Sequence, residues 1–153
     1  MIDSKTLRIG SHVLYNGKRM VVCCISGAVH GADISLIEPK EIVVYKDVWA
    51  CNIEPIPITA ELLTGLGFEK VTLQTHPKPI IQYVDAESIK AQAEDLDVRV
   101  VPRITIQHIN VRNPFWSVSA YGEDMEDNRM AVRYLHELEA FLYLTTKTEL
   151  IKE

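Results

Sequence analysis

The chain has 153 residues, of which 47% are hydrophobic, 24% charged and 7% aromatic, and its 16 Lys and Arg stand against 21 Asp and Glu for a formal charge of −5. Such a balance excludes a disordered chain, because this much apolar surface offsets the entropy of ordering. It also argues against a protein that grips nucleic acid mainly by neutralising phosphates, and no apolar run approaches the roughly 18 residues of a membrane span.

The opening Met1-Ile2-Asp3-Ser4-Lys5 brings an acid early and no apolar stretch, so it does not read as a signal peptide. Val13-Leu14-Tyr15 and the run from Met20 to Ile25 flank Asn16-Gly17-Lys18-Arg19. Asn-Gly between apolar runs is a strong hairpin signal, since both residues tolerate positive φ. Gly27, Gly31 and the polar residues around Asp33 mark a loop. Ile34 to Ile37 then reads as a short strand closed by Pro39. Two more strands follow, Ile42 to Tyr45 and Val48 to Ile53, separated by Lys46-Asp47. Five short strands so closely spaced point to a small closed barrel or a strongly curled sheet, which hides strand edges. Cys23, Cys24 and Cys51 are an odd set without paired spacing. They read as reduced, buried side chains rather than a disulfide framework.

Glu54-Pro55-Ile56-Pro57-Ile58 is a stiff extended connector, because each proline keeps its predecessor out of the helical region. It divides the chain into residues 1–58 and 59–153, which share one core or form two. Charge divides there as well: the first part has six positive and six negative side chains, the second ten and fifteen. Thr59 is placed to cap a short helix, with Glu61 in its first turn, Leu62, Leu63 and Leu66 as its apolar face, and Gly67 as its stop.

Residues 70–122 read mostly as an antiparallel meander. Val71 to Thr75 alternates, His76-Pro77-Lys78-Pro79 breaks it, and Ile80 to Val84 resumes. Asp85 to Leu96 has helix-forming composition but few large apolar residues, which suits a surface helix or a loop. Val98 to Val101, Ile104 to Val111 and Trp116 to Tyr121 follow. In the long strand Ile104 and Ile106 share one parity while Ile109 and Val111 share the other, which predicts a bulge near Gln107-His108. Met130, Tyr134, Leu138, Phe141 and Leu142 recur at three- and four-residue steps. They predict an amphipathic helix of about four turns that packs on the sheet, capped by Asp127 or Asn128. The architecture expected is therefore α+β: a small N-terminal barrel, a short helix, and an antiparallel sheet covered by a C-terminal amphipathic helix.

No catalytic constellation emerges. His136-Glu137-Leu138-Glu139-Ala140 begins like a zinc-protease helix but has Ala where the second His must stand. The remaining histidines, His12, His30, His76 and His108, have no mutual ligand spacing, so no metal or other cofactor is expected. The acidic run Glu123-Asp124-Met125-Glu126-Asp127 lacks the alternation and glycine of a calcium loop and suits the positive end of the following helix. The cysteines have no visible base, and Gly65-Leu66-Gly67 follows a helix instead of preceding one, as a phosphate loop would.

Binding candidates are the aromatic residues with basic neighbours. Tyr15, Lys18 and Arg19 surround the first hairpin, and Trp49 ends a barrel strand. Arg112, Phe115 and Trp116 lie around the Asn113-Pro114 turn, where they are candidates for an exposed hook. Packing inside strands is the more ordinary use of such aromatics. The expected activity is non-enzymatic binding of another protein. Nucleic-acid binding by the barrel through Lys5, Arg8, Lys18 and Arg19 is the alternative, disfavoured by the net charge.

Three segments carry a resemblance. They are Leu7-Arg8-Ile9-Gly10-Ser11-His12-Val13-Leu14-Tyr15-Asn16-Gly17-Lys18; Pro55 to Leu63 running on to Gly67-Phe68-Glu69-Lys70; and Tyr134-Leu135-His136-Glu137-Leu138 with Thr146 to Leu150. In this order they resemble a family of small uncharacterised proteins from Bacteroidetes and their phages and prophages. Leu62 stands where that family has tryptophan, and Lys147 where it has glycine. The resemblance implies a bacterial or phage origin, a cytoplasmic setting and an SH3-like or Tudor-like barrel at the N-terminus. It assigns no functional residue.

Overall fold

A computed structural model describes residues 2, 6–28, 31–39, 43–73, 80–86, 103–109, 112–122 and 125–146. Among these residues the architecture is α+β, with two antiparallel five-stranded sheets and few helices. The chain divides into two units. The first takes Met1–Pro57, Tyr134–Ala140 and Lys152–Glu153, and the second takes Ile58–Arg133 and Phe141–Ile151. No helix among the described residues is long and apolar enough to cross a membrane.

In the first unit, β1 (His12–Tyr15) and β2 (Lys18–Ala28) form the expected hairpin, with Tyr15 opposite Lys18. Asn16 and Gly17 adopt φ of 51° and 75°, the left-handed pair that a two-residue loop needs to match strand twist. A Cβ at Gly17 would meet nothing within 4 Å, so only backbone strain opposes a side chain there. Gly17→Val is accordingly expected to lower stability by about 1–2 kcal/mol, readable as a drop in melting temperature. The strands β3 (Gly31–Ile37), β4 (Val44–Trp49) and β5 (Ile53–Glu54) complete the sheet in the order β4-β3-β2-β1-β5. The fifth strand returns to pair with the first through Leu14 opposite Glu54 and Tyr15 opposite Ile53. Val13, Met20, Val22, Ile34, Leu36, Val48 and Ile53 form the core, joined by Ile2 and Leu7 from the N-terminal segment.

Three details of this unit differ from the sequence reading. The residues read as a loop around Gly27 and Asp33 are ladder positions, with Gly27 opposite Ala32 and Ser26 opposite Asp33. Lys46-Asp47 does not separate two strands but sits in a bulge of one. Tyr45 and Val48 oppose Leu36 and Ile34, and Asp47 takes φ 56°. A 3-10 turn over Ala50–Asn52 then cuts off β5. Nor are the cysteines all buried: Cys23 is half-buried, and Cys24 and Cys51 are exposed free thiols. The register shift between Val22 and Cys24 turns Cys24 outward beside Ser35.

The proline connector is extended, and its backbone meets the start of the last helix. Ile56 accepts from the Leu135 N–H at 2.8 Å, Ile58 donates to Arg133 at 3.0 Å, and Pro57 bridges Tyr134. In the second unit, α1 (Ala60–Gly65) forms where expected, with Thr59 Oγ1 accepting from the Leu62 N–H at 3.2 Å. Hydrogen bonds from its backbone N–H and Thr59 hold the Glu61 carboxyl below the usual carboxylate range. Leu63 is fully buried, and Gly67 closes the turn at φ 91°.

The second sheet is a simple meander, in order β10-β9-β8-β7-β6, of β6 (Phe68–Leu73), β7 (Ile80–Asp85), β8 (Arg103–Ile109), β9 (Phe115–Gly122) and β10 (Met125–Val132). The strand expected at Val71 starts three residues earlier, at Phe68. The bulge expected at Gln107-His108 is absent, for β8 runs in unbroken register from Arg103 opposite Tyr121 to Ile109 opposite Phe115. Ile104 and Ile106 are buried on one face, whereas Ile109 is half-buried on the other, so no face switch is needed. His76 to Pro79, most of Asp85 to Leu96, Val98 to Val101 and Val111 lie outside the described residues.

Residues 125–132 depart furthest from the expected helix. They form an antiparallel strand against β9 instead of a helix cap and first helical turn. The final helix, α2, spans Leu135–Thr146, 12 residues or about three turns. Its cap is neither Asp127 nor Asn128: the Glu137 carboxylate accepts from the Tyr134 N–H at 3.2 Å, one half of a capping box. Met130 and Val132, two residues apart, share one face of this strand; Val132 is fully buried and Met130 is 42% exposed.

Candidate functional site

The first sheet carries four of the seven predicted binding residues, Tyr15, Lys18, Arg19 and Trp49. Trp49 closes β4 opposite Asp33 and is 56% exposed. Its neighbour Val48 opposes Ile34 and points into the core, so Trp49 must point out. Val44, two-fifths exposed, opposes Ile37 at the other end of the same strand. β4 is the outermost strand on its side of the sheet. Tyr15 takes a different role. It is half-buried, meets Tyr45 edge-on at 5.7 Å between ring centroids, and packs against the core. The Lys18 ammonium bonds both carboxylate oxygens of Glu38, at 3.0 and 3.1 Å. Arg19 is exposed on β2, Arg8 donates to the Ile9 carbonyl at 3.1 Å, and Lys5 lies outside the described residues.

In the second unit Arg112 is exposed at the turn before β9. Phe115 is half-buried, and Trp116 is held on three sides. Its Nε1 donates to the Ile58 carbonyl at 3.1 Å, Tyr83 meets it edge-on at 5.7 Å, and His108 lies at 4.8 Å. Trp116 thus ties β9 to the residue before the Thr59 cap of α1, a packing role.

A buried polar cluster in the first unit has no local signature in the sequence. The Glu139 carboxylate, 3% exposed, meets His12 Nδ1 at 2.7 Å and accepts from the His12 backbone N–H at 2.9 Å. One turn earlier on α2, His136 is 1% exposed, with its Nε2 3.1 Å from Thr6 Oγ1 and its ring stacked on Tyr134 at 5.9 Å. His136 Nδ1 has no hydrogen-bond partner among the described residues. Among those residues no three His, Cys, Asp or Glu side chains lie together as metal ligands would. The cluster pins the N-terminal segment and β1 to the first half of α2.

Burial lowers the His136 pKa from its ordinary 6.5, against the opposing fields of Glu137 and Glu139. The unfolded chain therefore binds the extra proton first as pH falls. Stability from the neutral ring is intact above about pH 6.5 and declines below it until the folded-state pKa is passed. His136→Gln is expected to flatten the decline below about pH 6.5, measured as urea midpoints across pH. Glu137 and Glu139 act on the ring and Tyr134 stacks on it, and all three remain in that variant.

No protein-family model, curated protein or solved structure matches this chain.

Proposed function

We propose that the chain is a non-enzymatic module that binds another protein through the exposed β4 surface of its first unit. One observation carries this reading: Trp49, the residue type most often central to binding hot spots, stands 56% exposed on an outermost strand. Val44 extends the apolar surface along the same strand. On the same reading the first unit is an SH3-like barrel. Support comes from the return of β5 to β1 and the 3-10 turn that precedes it. The three resembling segments support membership of the Bacteroidetes and phage family, with a cytoplasmic accessory role for the protein. Nucleic-acid binding is the weaker reading, since Lys18 already faces the Glu38 carboxylate and the chain carries −5.

Affinity capture from the native host with the tagged full chain tests this. Trp49→Ala is expected to lose the specific partner at least about 30-fold, as truncating a hot-spot tryptophan does, while Arg112→Ala retains it. Equal recovery by both variants and the wild type would remove the assignment of this surface.

A further inference from the structure

The geometry points to a second binding site, for a small oxyanion, on the polar face of the second sheet. Four adjacent strands build it in two cross-strand rows. Gln82, Gln107 and Ser117 stand opposite one another across β7, β8 and β9, and Thr105, Ser119 and Arg129 do so across β8, β9 and β10. The rows are two residues apart along each strand, so all six side chains share one face. They line a depression of about 160 Å³.

Three features distinguish this depression from an ordinary wetted sheet face. Ser119 at its floor is only 8% exposed although it lines open space. None of the five uncharged side chains makes a hydrogen bond to another described residue, so their donors and acceptors remain available to a ligand. Finally, among the described residues no carboxylate lines the depression, and the one charged group that does is a guanidinium. Arg129 has an interaction of its own within the chain, but five N–H donors in a fixed fork can serve two partners. Hydroxyl and amide donors beside a guanidinium recognise phosphate or carboxylate oxygens by charge-assisted hydrogen bonds. At about 30 Å³ per water, the space holds roughly five waters or one such group with a small body attached.

Nitrogen–proton NMR of the full chain tests the site through the side-chain amides of Gln82 and Gln107. Inorganic phosphate and sodium acetate are titrated in parallel at constant ionic strength, so that general screening is matched. A saturable shift with phosphate alone identifies a phosphoryl ligand, and one with acetate as well identifies the broader carboxylate class. Arg129→Gln, at an exposed position, is expected to weaken that response about tenfold without altering the rest of the spectrum. Non-saturating shifts with both anions, or an unchanged response in Arg129→Gln, would overturn the assignment.

Discussion

Glu139→Ala is expected to lower stability by about 3–5 kcal/mol, a large share of what a small protein possesses. The alanine removes the acceptor for the His12 backbone N–H and the partner of His12 Nδ1 in one step. Both groups are buried, so neither regains water without local opening. Glu139→Gln keeps one oxygen and one amide in the same place and should cost less. The surface pair Lys18–Glu38 is the control, because Lys18 is 60% exposed and Lys18→Ala should change stability by less than about 1 kcal/mol. Urea unfolding of the three variants checks the ranking. A Glu139→Ala protein as stable as Lys18→Ala would mean that the buried pair contributes nothing.

A second large effect is expected at the centre of the second sheet. Ile106 is fully buried, between Tyr83 and Val118 on neighbouring strands. Ile106→Ala should cost about 2–5 kcal/mol from lost burial and the cavity left behind. Met130 lies opposite Val118 on the sheet's outermost strand and is 42% exposed. Met130→Ala should therefore cost less than about 1 kcal/mol. The comparison also tests the strand at residues 125–132. Were Met130 the first core residue of a long helix, the two substitutions would cost alike. Trp116 emission is a suitable probe, since its ring lies within the same sheet.

The strand at 125–132 explains why part of the fold was hidden in the sequence. Met130, Tyr134 and Leu138 fall at four-residue steps, which imitates a helical stripe. Only Tyr134 and Leu138 belong to the helix and its cap. Met130 and Val132 instead share one face of a strand, a two-residue repeat too short to outweigh the longer one. By contrast, Asn16-Gly17 and Thr59 declare themselves because each meets a backbone requirement within its own four residues. The same distinction holds for the candidate surface. Val48 and Trp49 are adjacent apolar residues, and which of them faces outward depends on the bulge at Lys46-Asp47, set by pairing with β3. His12 and Glu139, 127 residues apart, leave no mark that any local pattern can reveal.

That separation has a consequence for how the protein is made. The first sheet leaves the ribosome early, but the carboxylate that satisfies His12 is added only after the whole second sheet has been synthesised. Until then the nascent opening segment carries a donor with no acceptor to receive it. Final locking of the first unit thus waits for the synthesis of the second sheet, and an expression fragment stopping at residue 58 would omit the group that completes it.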